Sequence, residues 1–122
     1  MNIVDSCGWL EYLKNGKYAT RYAEALEDTR NLLVPVICLY EVFKVILREN
    51  GEQQALTVAA SMKQSKVIPV DQTIVLLAAK LSLEHQLPMA DSIILATSRL
   101  NNANILTQDE HFRNLDGVTF VE

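Results

Sequence analysis

Apolar and polar residues follow one another in short blocks along this chain, and the period of the pattern changes from block to block. Asn2 to Val4 reads as a short apolar strand ending at Asp5, after which Ser6 can cap a helix carrying Trp9, Leu10 and Leu13 at helical spacing. Asn15-Gly16 stops that helix. A second helix is predicted over roughly Tyr18 to Asp28, with Tyr22, Ala25 and Leu26 inward, and Asn31 opens a strand over Leu32 to Val34. Pro35 suits the first turn of the next helix, where its missing amide would be unpaired anyway. The apolar stripe there is Val36, Leu39, Tyr40, Phe43, Ile46 and Leu47, and Asn50-Gly51 ends the helix. A helix over about Glu52 to Gln64 and a strand from Lys66 to Val70 follow. Asp71 caps a long helix to about His85, apolar on most faces between Ile74 and Leu83. Leu87-Pro88 breaks that run and opens another helix. Asn101 to Asn104 form a loop, Ile105 and Leu106 a strand, Gln108 to Phe112 one helical turn, and Val118 to Val121 a closing edge strand.

Five short strands alternating with helices, most crossovers being long enough for a helix, predict an α/β protein. The expected architecture is a three-layer α/β/α sandwich around a mainly parallel sheet. At 122 residues the chain suits one core and not two, so residues 1–122 are read as a single domain. No internal repeat, linker or low-complexity segment interrupts it. In open sheets of this kind ligands bind beyond the carboxyl ends of the strands, where Asp5 and the Thr107 to Asp109 segment fall.

Composition narrows the class. The 49% hydrophobic content is that of a globular protein. No run approaches the ~20 apolar residues of a membrane helix, and Asp5 sits where a signal peptide would be basic and apolar. Cys7 and Cys38 form no C-x-x-C pair and no disulfide framework, which fits a reducing cytoplasm. The net charge of -4 argues at first sight against nucleic acid, an argument that weakens if several acids share one metal site. Residues 1–66 are balanced, whereas residues 67–122 hold three basic and seven acidic side chains, so any basic surface should come from the first half.

Four carboxylates stand out. On the helix after Pro88, Met89, Ala90, Ile93, Ala96, Thr97 and Leu100 form one face, and Asp91 lies nearly opposite among Ile94, Leu95 and Ser98. A carboxylate on a helix that is apolar nearly all round is expected to be partly buried, which is costly unless it is paired or binds a metal. The alternative is a first-turn acid stabilised by the helix dipole. Glu41 faces away from the Val36 to Leu47 stripe, with Lys44 and Arg48 along its own side, and could equally be a solvated helix acid. Asp5 and Asp109 could each be a simple cap. Together the four come from separate elements that a parallel sheet would bring to one edge. Such a cluster repels itself unless divalent cations are bound. Oxygen donors without histidine suit magnesium or manganese better than zinc.

The segments IVDS, CLYEVFKV, LPMADSIILATS and ILTQDEHF, in that order, resemble a PIN domain, specifically the small ribonuclease toxins of the VapC type. The resemblance runs from end to end, the last two segments being its most specific part. It carries the family's acidic positions onto Asp5, Glu41, Asp91 and Asp109, with Glu110 adjacent to the last, and its hydroxyl positions onto Ser6 and Thr107. It implies a PIN-like fold, endoribonuclease activity dependent on Mg2+ or Mn2+, a homodimer and a cognate antitoxin. Asp5, Asp91 and Asp109 would hold metal with Glu41 close by, and Ser6 and Thr107 would orient them. The four site acids then account for the whole net charge, and RNA would be held by local cations: Lys44 and Arg48, with Lys14, Lys17 and Arg21 at the first helical hairpin. The alternative is a non-catalytic PIN-like RNA- or protein-binding module. His85 is read as a helix C-terminal residue and His111 as a surface one, neither with metal-ligand spacing, Cys7 and Cys38 as small packing residues near the site, and Trp9 as a core or partner contact.

Overall fold

The computed structural model describes residues 1–122. Its strands are β1 (Asn2–Val4), β2 (Leu32–Pro35), β3 (Lys66–Ile68), β4 (Asn104–Thr107) and β5 (Val118–Phe120). Its helices are α1 (Ser6–Leu13), α2 (Ala19–Glu27), α3 (Val36–Asn50), α4 (Glu52–Met62), α5 (Gln72–His85) and α6 (Met89–Leu100), with 3-10 turns at Thr29–Asn31 and Glu110–Phe112. The strands pair in the order β3-β2-β1-β4-β5, and all four pairings are parallel. The expected α/β sandwich is therefore present, with a sheet that is wholly parallel.

Period-two alternation divides the interior into two cores. Ile3, Leu33 and Ile105 point to one face of the sheet, where Ile74, Ala78 and Leu81 of α5 and Ile94 and Leu95 of α6 cover them. Val4, Leu32 and Val34 point to the other, against Trp9 of α1, Tyr22 and Leu26 of α2, and Ala55, Val58 and Met62 of α4. Helix α3 serves both: Cys38 belongs to the first core, Val42 and Ile46 to the second.

That placement corrects one predicted face. In α3 the fully buried line is Cys38, Val42 and Ile46, while Tyr40 and Leu47 of the expected stripe are exposed. In α6, expected to be apolar nearly all round, Ser92 and every residue from Ile94 to Ser98 are buried, while Met89 and Leu100 at its two ends are exposed. Both helices are wedged between neighbours, so the burial pattern follows the packing partners and not the strongest apolar stripe. Asp91 consequently lies at the rim of the buried side.

Local chemistry sets most boundaries. The Asp71 side chain accepts from the Ile74 N–H at 2.9 Å and caps α5. Gly51 ends α3 at φ +88°, a conformation that costs glycine little. β3 stops at Ile68, two residues short of the predicted end, because Pro69 has no N–H to extend the ladder. No helix is long and apolar enough to cross a membrane.

Candidate active site

Each end of a strand hands its backbone to a short turn, and the turns at the carboxyl ends of β1 and β4 lie side by side because those strands pair Val4 with Leu106. The Asp5 N–H donates to the Leu106 carbonyl at 3.0 Å, which continues the ladder one residue past β1. Asp5 is 3% exposed and sits at the N-cap of α1, where its Oδ1 accepts from the Ser6 N–H at 2.7 Å. Its other oxygen, Oδ2, accepts from the Thr107 hydroxyl at 2.8 Å and from the Cys7 thiol at 3.4 Å. Thr107 is the last residue of β4, not one beyond it, and is fully buried. Its Oγ1 in turn accepts from the Asp109 N–H at 3.0 Å, so one hydroxyl ties both turns together.

The network extends to the helices. Ser6 Oγ donates to Glu41 Oε1 at 2.6 Å, joining the start of α1 to α3. Asp109 caps the turn Glu110–Phe112 by accepting from the His111 N–H at 3.0 Å. The ring of His111 comes back over that turn, its Nδ1 lying 2.9 Å from Asp91 Oδ2 and 3.2 Å from Asp109 Oδ1. The buried Phe112 pins the turn in that orientation. The cap readings of Asp5 and Asp109 thus hold together with a shared site.

All four sequence-selected acids lie along this edge, in two subgroups. Asp5 and Glu41 stand beside the buried Cys38, and Asp91 and Asp109 beside His111. Glu110 turns away: it is exposed and makes a bidentate pair with Arg113, at 2.7 and 2.9 Å. His111 is the residue that the sequence reading set aside as a surface histidine. It is half exposed, yet it touches two of the acids. The signal for it was local: a D-x-H spacing on a tight turn whose next residue is a large aromatic.

Burial first, and like charge after it, disfavours the ionised acids at this edge. Burial pushes the Asp5 carboxyl above its usual range, against the opposing hydrogen bonds from Thr107, Ser6 and Cys7. Burial, then repulsion from Asp109 and Asp5, pushes Asp91 up to about 6, with the His111 contact opposing. Burial holds the Cys7 thiol up at about 12, so it remains a protonated donor. None of Asp5, Glu41, Asp91 and Asp109 has a lysine or arginine nitrogen within 4.0 Å. The candidate cations are elsewhere: Lys14 and Arg48 pair with Glu49, Arg21 donates to the Glu122 carbonyl, and Lys17 and Lys44 lie over Tyr18 and Tyr40.

Thr107→Val tests the bridging hydroxyl. The change keeps the shape but removes a donor to Asp5 and leaves the Asp109 N–H without its acceptor, so a loss of about 1–3 kcal/mol in stability is expected. Denaturant midpoints of the two proteins check this, and equal midpoints would show that the hydroxyl does not bridge the turns.

A comparison with curated protein sequences returned no match. Among solved structures, a toxin-antitoxin complex from Klebsiella pneumoniae contains a chain that superposes with TM-score 0.83 at 22% identity, covering 98% of this chain and 96% of that one. VapC20 of Mycobacterium tuberculosis, described as a sarcin-ricin loop cleaving toxin, gives 0.71 at 17% identity over 86% and 87%. FitAcB from Neisseria gonorrhoeae gives 0.74 at 17% identity over 99% and 97%. At these identities the likeness is one of fold. The PIN domain family model matches residues 3–118, a span that takes in the paired β1 and β4 turns, α3 and the start of α6. With that match over almost its whole length, the chain belongs to the PIN domain family.

Proposed function

We propose that this protein is a metal-dependent endoribonuclease toxin of the VapC type, acting in the cytoplasm on RNA phosphodiester bonds and silenced by a cognate antitoxin. The observation that supports the reading is the gathering of Asp5 with Glu41, and of Asp91 with Asp109, from four separate segments along the carboxyl edge of a parallel sheet without a lysine or arginine to neutralise them. Acids that are buried, as Asp5 is, or partly buried, as the other three are, and that have no basic partner fit a divalent cation by charge and by donor type. Asp5, Asp91 and Asp109, with Glu41 close by, would hold Mg2+ or Mn2+. When bound, such an ion lowers the pKa of a water and neutralises charge building on the phosphoryl oxygens.

The protein's own groups have distinct tasks in this reading. Thr107 and Ser6 hold Asp5 and Glu41 in fixed orientations through their hydroxyls. Glu41, partly buried and held at one oxygen, keeps the other free to orient the attacking water or take its proton. Lys44 and Arg48 are exposed on the same helix as Glu41 and offer phosphate contacts. The similar solved structures include a toxin-antitoxin complex and a sarcin-ricin loop cleaving toxin, which supports the toxin role and the antitoxin partner. Val75, Leu76, Leu83 and Met89 are exposed on α5 and α6, apolar surface of the kind a second copy in a homodimer would cover.

The test is direct. Purified free of partners, the chain is expected to cleave labelled RNA with Mg2+ or Mn2+, to stop in excess EDTA, and to resume when metal is restored. Cleavage undiminished by EDTA rules out the metal-carboxylate reading.

A further inference from the structure

The ligand set expected from the sequence is all oxygen, yet the edge contains one nitrogen that fits it. His111 Nδ1 stands 2.9 Å from Asp91 Oδ2 and 3.2 Å from Asp109 Oδ1. Donor atoms on adjacent vertices of an octahedron with bonds of ~2.1 Å lie ~3.0 Å apart, so these separations are those of neighbouring ligands around one ion. We propose that His111 is a ligand of the same metal centre, its Nδ1 completing a group with Asp91 and Asp109 and shifting the preference of the centre from Mg2+ toward Mn2+. This rests on the metal-dependent reading above and adds to it.

The placement is built, not incidental to a loose side chain. His111 is locked two residues after Asp109 by its own N–H bond to that carboxylate, and Phe112, wholly buried, fixes the turn from the other side. Arg113, the nearest strong cation in sequence, is occupied by Glu110 and Glu122 and does not compete for the acids. Without an ion, an Nδ1–H donating to Asp91 accounts for the 2.9 Å contact; in the tautomer with its proton on Nε2, the same Nδ1 would offer its lone pair to a metal held by the two carboxylates. Magnesium takes oxygen donors almost exclusively, whereas an imidazole nitrogen strengthens binding of first-row transition metals. A mixed oxygen and nitrogen group therefore discriminates between the two ions that an all-carboxylate group would treat more alike. The other acid subgroup, Asp5 and Glu41, has no histidine near it.

The chain contains only two histidines, which makes the assignment clean. The experiment loads the full-length, partner-free protein with Mn2+ and records electron spin echo envelope modulation with natural and 15N-labelled histidine, for wild type, His85→Ala, His111→Ala and His111→Gln. Affinities for Mn2+ and Mg2+ are measured on the same samples by calorimetry, with circular dichroism as the folding control. The expected result is nitrogen modulation in wild type and His85→Ala and none in either His111 variant. Mn2+ affinity should fall at least about tenfold in those variants while Mg2+ affinity changes little. Modulation that is absent from wild type or survives in His111→Ala overturns the assignment, as does an equal loss of affinity for both ions. If nitrogen modulation is absent while metal-dependent cleavage persists, the ligand assignment alone fails. If wild type binds neither ion, the metal-dependent reading fails with it.

Discussion

Asp91→Asn is expected to remove RNA cleavage, by roughly 10²–10³-fold or more, while making the metal-free protein more stable. The two effects share one cause. Asp91 sits at the rim of the core with its side chain 13% exposed, and burial together with the charges of Asp109 and Asp5 lifts its carboxyl to about 6. At neutral pH the folded state must therefore hold an ionised group where a neutral one would be preferred. A rise from 3.8 to about 6 corresponds to a penalty of order 2–3 kcal/mol, of which the asparagine, still a polar group to desolvate, should recover about 1–2 kcal/mol. The sign follows from linkage. Because the folded pKa is raised, the proton is held more tightly by the folded state, so this group's stabilising contribution is complete below about pH 4 and is lost as pH rises through 6. Asp5, also raised, acts in the same direction. Wild type should lose stability between pH 4 and 7, and Asp91→Asn should flatten that slope. Saturating Mg2+ should then reverse the ranking, since an ion bound only by the folded wild type stabilises it by mass action. Thermal melts at several pH values, with and without Mg2+, check all of this. A variant less stable than wild type in metal-free buffer at pH 7.5 would show that the acids are not in mutual repulsion.

Phe112→Ala is expected to cost about 3–5 kcal/mol, the usual range for emptying a fully buried aromatic site. Phe112 has no exposed surface and packs in the core that α5 and α6 build on the sheet. It is also the anchor of the turn that presents Asp109 and His111. The cavity should therefore loosen the candidate site as well as the fold, and metal affinity should fall even where the protein remains folded. Denaturant unfolding gives the stability loss, and calorimetric Mn2+ binding at low temperature gives the affinity. Full metal affinity in a strongly destabilised Phe112→Ala protein would separate the turn from the core and contradict this account.

The parallel sheet was legible because its strands are short, largely apolar and alternate with helices, two of which open on an acid that caps them. Asp5 after β1 and Asp71 before α5 are the examples, and both side chains do accept the predicted kind of bond. Those signals act over a few residues. Helix faces were less legible. Tyr40 and Leu47 complete the apolar stripe predicted for α3 but stand exposed, because that helix is shared between two cores.

At the candidate site the division is the same. In the sequence each of Asp5, Glu41, Asp91 and Asp109 also had an ordinary local reading, and it was their occurrence together, in the order of a PIN domain, that singled them out. Glu110 could serve in place of Asp109 by neighbourhood, with the T-x-D spacing favouring Asp109, and in the structure Glu110 is paired with Arg113. What joins the acids spans long stretches of chain: Ser6 to Glu41, Thr107 to Asp5, His111 to Asp91. Those contacts exist because β1 pairs with β4 and because Phe112 is buried, and no periodicity in the chain encodes either one. The sequence by itself determined which charges the protein carries into one edge of a parallel sheet. Only the tertiary structure decided which oxygen faces which donor, and that a histidine nitrogen stands among them, because distances of about 3 Å between remote residues are set by packing.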